Sequence, residues 1–354
     1  MFGHVGARNA LYSCNVAVIV AGGYIFGCEG TALTADEKRF FRDADPWGFI
    51  LFARNLETPD QIRRLTADLR ASVGREAVIL IDQEGGRVAR LRGPTWLDWL
   101  PALEQMALAG PESGPRSMWI RSRLIADELL ALGIDTNCAP IADVPTDAVH
   151  AIIHNRCYGQ SAAEVVAVGR AVADGLLAGG VLPVLKHIPG HGRPVADSHL
   201  ELPRTDTALA ELWATDFAAF KGLNDLPMGM TAHVVYDAVD PENCATLSAK
   251  AIDLIRTEIG FDGLLMTDDL SMQALSGSFA DRTAASLAAG CDLVLHCHGV
   301  MAEMLEIATA AGDLGADAAL RAERALACRR PPEPMDKHAL LAALAQMLML
   351  PGNV

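Results

Sequence analysis

Little in this sequence suits a partner that carries negative charge. Lys and Arg number 29 against 44 Asp and Glu, so the formal net charge is -15 and the isoelectric point is near 5.0. Such a surface repels nucleic acid and anionic lipid, and neither is expected as a partner. Aromatic residues make up only 5% of the chain. The cysteines (Cys14, Cys28, Cys138, Cys157, Cys244, Cys291, Cys297 and Cys328) form no C-x-x-C pair and no dense disulfide framework. Several lie in apolar runs such as Cys291–Cys297, where a thiol behaves as a small hydrophobe, which points to reduced core cysteines in a cytoplasm. The apolar run Val16–Gly27 is too short to span a bilayer. It has no Lys/Arg cluster before it and no A-x-A site soon after, so it reads as a strand rather than a signal peptide. A soluble, cytoplasmic chain is the expectation. No G-x-G-x-x-G follows this first strand, which argues against an open dinucleotide-binding sheet.

What the chain does have is apolar residue, 51% of 354 positions with a mean hydropathy of +0.22. A (β/α)8 barrel takes roughly 250 residues and tolerates insertions, so one barrel fits this length. Eight short runs rich in Val, Ile and Leu recur: Val16–Ala21, Gly48–Phe52, Ala77–Ile81, Ile134–Ile141, Leu182–Leu185, Gly229–Ala232, Gly263–Met266 and Asp292–Leu295. They do not alternate apolar with polar, as suits strands buried on both faces of a parallel sheet. Helical patterns lie between them. Thr34–Glu37, Thr58–Gln61 and Ser161–Glu164 match capping boxes, the second with Pro59 at the first helical position. Helices are also expected over Leu209–Lys221, near Arg282–Ala289, and at the end over Lys337–Met349. Leu91–Arg116, with four prolines, and Pro189–Pro203 read as long loops, which in a compact domain are usually functional. The predicted fold is α/β: a single-domain, TIM-type (β/α)8 barrel over 16–354, with residues 1–15 as an N-terminal extension.

Polar residues gather at one end of these strands. The second run ends in Phe52–Asn55, the third in Asp82–Arg87 with Arg90 close behind, and the fourth in Asp143. Lys186 and His187 end the fifth, His233 follows the sixth, and Asp268 and Asp269 follow the seventh. A lone strand-end Asp often just caps the next helix. Six such ends point instead to a pocket on the C-terminal face of the barrel.

Carboxylates and cations without a phosphate loop suit a hydroxyl-rich substrate. Glycoside hydrolysis needs a carboxylate on one face of the anomeric carbon and a proton donor on the other. Asp268, at the tip of a buried strand, has the rigid placement of a nucleophile. Asp269 alternates to the opposite face and reads as structural, a cap for the next helix. The loop Lys186–His199 holds three histidines and an aspartate, with Gly190 and Gly192 making it deformable. Asp197 and His199 are close enough for the carboxylate to orient an imidazole acid/base. Equally, His187-x3-His191 with Asp197 or His199 offers enough ligands for zinc. On these residues alone the two readings stand even.

IDQEGGRVARL (Ile81–Leu91), KHIPGHGRPVADSH (Lys186–His199), MTAHVVYDAVDPENCATLS (Met230–Ser248) and GFDGLLMTDDLSM (Gly260–Met272) resemble the bacterial β-N-acetylglucosaminidases of glycoside hydrolase family 3. GFILFARN (Gly48–Asn55) and Ala139–Asp143 fit as well, so the resemblance runs from about Ile25 to Leu295. The compact form is similar to the Gram-negative enzymes of cell-wall recycling. The resemblance implies Asp268 as nucleophile of a covalent, retaining route, with His199 as acid/base and Asp197 as its partner. It implies that Asp82, Arg90, Arg156, Lys186 and His187 hold the N-acetylglucosamine ring. It implies no metal and no cofactor, which tips the histidine loop away from zinc. The implied substrate is a small muropeptide or its sugar, N-acetylglucosamine linked to 1,6-anhydro-N-acetylmuramic acid, met in the cytoplasm; a monomer is the separate expectation. His154–Gly159 departs from the family's usual G-D-R-S-F-G, with Asn155 where an Asp is usual. Alternative readings are a β-N-acetylglucosaminide phosphorylase, since a histidine acid/base would not repel phosphate, a non-catalytic sugar-binding barrel, and a zinc hydrolase.

Overall fold

The computed structural model describes residues 21–146, 154–193 and 202–348. Eight parallel strands close on themselves: β1 (Gly22–Phe26), β2 (Pro46–Leu51), β3 (Val78–Ile81), β4 (Thr136–Asn137), β5 (Leu182–Ile188), β6 (Met228–Thr231), β7 (Leu264–Asp269) and β8 (Leu293–His296). Each pairs with its neighbours in the chain, and β1 closes the ring against β8 with Ile25 opposite Leu295. Helices flank the ring, so the fold is the (β/α)8 barrel that the run of strands predicts. A further parallel pair, Arg204–Thr205 with Val235–Tyr236, lies outside it. No helix among the described residues is long and apolar enough to cross a membrane.

Alternation along the strands sorts the core. Ile25, Ile50, Leu80, Val184, Met230, Met266 and Leu295 pack with one another in one cluster, while Phe26, Phe49, Leu51, Ile79 and Ile81 pack in another with residues of the flanking helices. Successive side chains of a strand point to opposite faces, so the first set fills the barrel and the second meets the helices. Each fully buried Leu, Ile or Met of this kind contributes about 1.5–3 kcal/mol. Two positions beyond Leu80, Val184 and Met266 come Asp82, Lys186 and Asp268. The period that buries the core therefore carries these three polar groups on the barrel side, just above the last apolar layer.

Several boundaries differ from the sequence reading, each for a local reason. The first barrel strand is Gly22–Phe26 rather than Val16–Ala21, of which only Ala21 is described. Gly22 N–H bonds the Asp45 carbonyl and Gly23 N–H the Gly312 carbonyl, partners that glycines in sequence do not announce. The ladder of β4 is only Thr136–Asn137, because Pro140 has no N–H to give, although its carbonyl still takes Lys186 N–H at 3.0 Å. Leu91–Arg116 is not all loop: helix covers Ala102–Leu130, broken at Gly110 with φ 71°, and Pro111 and Pro115 fall in the first turns after the break. The expected helix Leu209–Lys221 is two, Leu209–Ala214 and Asp216–Lys221, hinged at Thr215.

The capping signals are realised at Thr34 and Ser161 in full. Thr58 caps Gln61 N–H, but the Gln61 side chain reaches Glu57 N–H rather than Thr58. The last helix, Lys337–Met347, lays Leu344 on Ile120 and Leu124, and Leu348, just past its end, joins them.

Candidate active site

The C-terminal ends of β3 and β5 build a chain of alternating charge. Arg90 donates to Asp82 Oδ2 at 3.0 Å, and Lys186 Nζ meets Asp82 Oδ1 at 2.8 Å and Glu84 Oε1 at 2.7 Å. Glu84 then takes both Nε and Nη2 of Arg156, at 3.0 and 2.9 Å. Behind it the buried Arg121 donates to the Glu84 carbonyl and, at 3.0 Å, to Gln105 Oε1. Burial alone would raise the carboxyl pKa values; Lys186 and Arg90 hold Asp82, and Arg156 and Lys186 hold Glu84, below the ordinary range instead. Burial likewise opposes the charge on Lys186, and Asp82 with Glu84 override it and raise its pKa. All three stay ionised at neutral pH, each paired rather than orphaned.

A second group hangs from Asp143, beyond β4. Its carboxylate faces His187 Nδ1 at 2.8 Å and accepts the backbone N–H of His187 at 3.3 Å and of His191 at 2.7 Å. Despite its burial, His187 and His191 bring the Asp143 carboxyl down to about 2. An ionised Asp143 can only accept, so Nδ1 of His187 carries the hydrogen and Nε2 is left for the pocket. The His191 ring packs edge-on against His187, with centroids 5.7 Å apart. Both His191 ring nitrogens lack a hydrogen-bond partner among the described residues. Burial first, and then His187, push its pKa down to about 4, so this ring is neutral.

Asp268 closes the pocket from β7. Its Oδ1 accepts Asp269 N–H at 2.8 Å. Burial would raise its pKa, but His187, His233, that amide and Lys186 together lower it. The result is a partly buried carboxylate that is ionised at neutral pH. Asp269 is spent on the backbone: Oδ1 takes Ser271 N–H at 3.0 Å and Cys297 N–H at 3.2 Å, and Oδ2 takes the Ser271 hydroxyl at 2.6 Å. Above β2, the Phe52 ring lies 5.2 Å from the Arg54 guanidinium and 5.1 Å from that of Arg90.

The structure thus brings together Asp82, Arg90, Arg156, Lys186, His187 and Asp268. Asp197 and His199 lie outside the described residues. The chain on either side of them is firmly tied. Thr146 N–H bonds the Gly192 carbonyl at 3.0 Å, and a Cβ on Gly192 would sit 1.9 Å from the Val144 carbonyl oxygen, so only glycine fits there. Arg193 bonds Asp216, Glu211 and Thr215 at 2.6, 2.7 and 2.7 Å. On the far side Val235 N–H bonds the Pro203 carbonyl at 2.9 Å. Glu84, Asp143 and His233 had no assigned role in the sequence reading, and His191 entered it only as a candidate zinc ligand. Glu84 is visible in hindsight two residues after Asp82, while Asp143 and His233 stood out only as strand-end polar groups. Among the described residues no three His, Cys, Asp or Glu side chains are grouped to hold a metal ion.

Residues 26–324 match the model of the glycosyl hydrolase family 3 N terminal domain. A Beta-hexosaminidase of Methylococcus capsulatus is 38% identical over 279 residues, which are 77% of this chain and 82% of that one. Among solved structures, NagZ from Neisseria gonorrhoeae in complex with N-trifluoroacetyl-D-glucosamine superposes with a TM-score of 0.81 at 31% identity, covering 93% of this chain and 99% of that one. The same Neisseria protein in complex with zinc ion gives a TM-score of 0.78 at 31% identity, over 94% and 97% of the two chains.

Proposed function

The chain belongs to glycosyl hydrolase family 3, and from that premise we propose that it is a β-N-acetylhexosaminidase, more narrowly a retaining exo-β-N-acetylglucosaminidase. Its substrates are peptidoglycan turnover fragments, N-acetylglucosamine on 1,6-anhydro-N-acetylmuramic acid with or without peptide, met in the cytoplasm by a monomer. The observation that carries this reading is Asp268, an ionised, partly buried carboxylate at the tip of β7, within the electrostatic reach of Lys186 and His187 of β5. The Beta-hexosaminidase relatives support the choice of sugar.

In the proposed reaction Asp82, Arg90, Arg156, Lys186 and His187 hold the ring. A carboxylate oxygen of Asp268 attacks the anomeric carbon as the glycosidic C–O bond breaks, and His199 gives its proton to the departing alcohol. Asp197 steadies the imidazole. Water then gives a proton to His199 and its oxygen to the anomeric carbon, and the ester to Asp268 breaks with net retention. His199 and the attacking water between them account for every proton, and the reading calls for no metal or cofactor.

The test is turnover of an aryl β-N-acetylglucosaminide beside the matching β-glucoside, with the first product anomer identified by NMR. Release of β-N-acetylglucosamine after exhaustive chelation supports the proposal. Preference for the glucoside, an inverted product, N-acetylglucosamine-1-phosphate in phosphate buffer, or activity lost with stoichiometric zinc overturns it. For the acid, His199→Ala should spare glycosylation by a dinitrophenyl substrate and slow a sugar-alcohol substrate by roughly 10²–10⁴. Equal loss on both would assign the proton to another residue.

A further inference from the structure

His233 lies two residues beyond β6 and is wholly buried. Its Nε2 is 3.1 Å from the Asp269 carbonyl oxygen and its Nδ1 is 2.7 Å from Thr246 Oγ1. A carbonyl can only accept, so Nε2 carries a hydrogen. The Thr246 hydroxyl has one hydrogen and three neighbours: His233 Nδ1, Thr231 Oγ1 at 2.9 Å and the Ala232 carbonyl at 3.1 Å. Giving that hydrogen to Ala232 would require a second proton on the ring, that is, a buried imidazolium. Burial pushes the His233 pKa down in spite of Asp268 and Asp269, so the ring is neutral. Thr246 therefore donates to Nδ1 and Thr231 donates to Thr246. Two threonines fix the tautomer of a histidine whose remaining hydrogen holds the carbonyl of the residue next to Asp268.

Residue 269 is gripped on every side. Its carbonyl also takes Met272 N–H at 3.2 Å, its side chain holds Ser271 and Cys297 N–H, and its own N–H points at Asp268 Oδ1 over 2.8 Å. That last bond is among the contacts that keep Asp268 ionised. We propose that His233 is a positioning residue for the Asp268 carboxylate, holding the Asp269 backbone so that its amide stays aimed at Oδ1. The proposal rests on Asp268 being the nucleophile. Other groups bear on that carboxylate: Lys186, His187 and His191 from β5 and its loop, Cys138 past β4, and Cys297 past β8. They are untouched by changes at 233 or 246, so a shift on mutation there reports the His233 contact.

The experiment compares His233→Ala, His233→Gln, Thr246→Val and Thr246→Ser with wild type on an aryl β-N-acetylglucosaminide across pH. In His233→Ala, kcat should fall roughly tenfold to a hundredfold, the cost of a slightly misplaced reacting group. KM should stay within about threefold, because no sugar contact is lost. The acid limb of kcat/KM should move to higher pH, since a carboxylate that loses an amide donor protonates more easily. His233→Gln should restore both readouts, because its amide N–H reaches the carbonyl from the Nε2 position. Thr246→Val should show a weaker form of the defect and Thr246→Ser none. A merely structural role would lower the active fraction and leave the acid limb in place.

An unmoved acid limb with wild-type kcat in His233→Ala overturns the proposal. So does a folded His233→Gln as defective as Ala. NMR titration of the Asp268 carboxyl carbon gives the same answer without substrate. Were the wild type inactive on every hexosaminide, the functional reading would fail, and the carboxyl titration would still judge His233. Equal titration in wild type and His233→Ala would then sink it.

Discussion

His187 gives its Nδ1 hydrogen to the Asp143 carboxylate over 2.8 Å, and the same carboxylate anchors the backbone of both His187 and His191. One buried acid thus sets the tautomer of a pocket imidazole and the course of the loop that carries it. Asp143→Asn keeps the shape but offers an amide in place of a carboxylate. Losing hydrogen bonds to a charged acceptor costs about 1.5–3 kcal/mol each. If His187 holds the sugar, KM for an aryl β-N-acetylglucosaminide should rise by roughly tenfold or more, with a smaller fall in kcat. An unchanged KM would show that His187 does not bind the ring. Steady-state kinetics on the folded variant decides it.

Stability should fall in two stages as pH is lowered. His191 is held neutral, with its pKa brought from 6.5 to about 4. Between those values the unfolded chain binds a proton that the native chain does not, so stability drops as pH falls from about 6.5 to about 4. His233 and His296 are also depressed and act in the same direction. Asp143 is depressed from 3.8 to about 2, so its contribution is intact above about 3.8 and is lost as pH falls toward about 2. Urea midpoints measured from pH 7 to pH 3 should show this slope, and His191→Gln should flatten the upper stage. A flat profile down to pH 4 in wild type would contradict a buried neutral His191.

Lys186 is the shared cation of Asp82 and Glu84 and is itself almost fully buried. Lys186→Met removes it and leaves the two carboxylates facing each other with only the outer arginines. Breaking one partner out of a buried charge set costs about 3–5 kcal/mol. Chemical denaturation should show a loss of that order. Lys186→Arg should not restore it, because a planar guanidinium does not fit between two oxygens that a compact ammonium meets at 2.8 and 2.7 Å. A loss below about 1 kcal/mol for the Met variant would mean that water reaches these groups and screens them.

The parts of this molecule that were legible in sequence are those with local causes. The caps at Thr34, Thr58 and Ser161 need only neighbours three residues away, and all three start helices. The barrel was legible because eight apolar runs recur with helices between, and the period of two carries Asp82, Lys186 and Asp268 to one place. What escaped depends on distant partners. Gly22 and Gly23 form a strand by bonding Asp45 and Gly312. The prolines that mark 91–116 as loop instead start a helix segment, because Gly110 breaks the chain just before them. Glu84 acquires its place only when β5 brings Lys186 to it, and His233 only when Thr246 closes behind it. Arg156 was expected against the sugar, and its Nε and Nη2 are committed to Glu84.

The central claim is that Asp268 forms a bond to the sugar, and the most direct measurement of it is where that bond lands. A fluorinated β-N-acetylglucosaminide with a good leaving group forms the glycosyl-enzyme faster than water clears it, so the intermediate accumulates. Intact-mass spectrometry should then show one added sugar per chain, and peptide mapping should put it on Asp268. Asp268→Ala should take up none and lose several orders of magnitude in turnover while keeping its fold. A label on Asp269, or retention of configuration with no label on 268, would contradict the assignment.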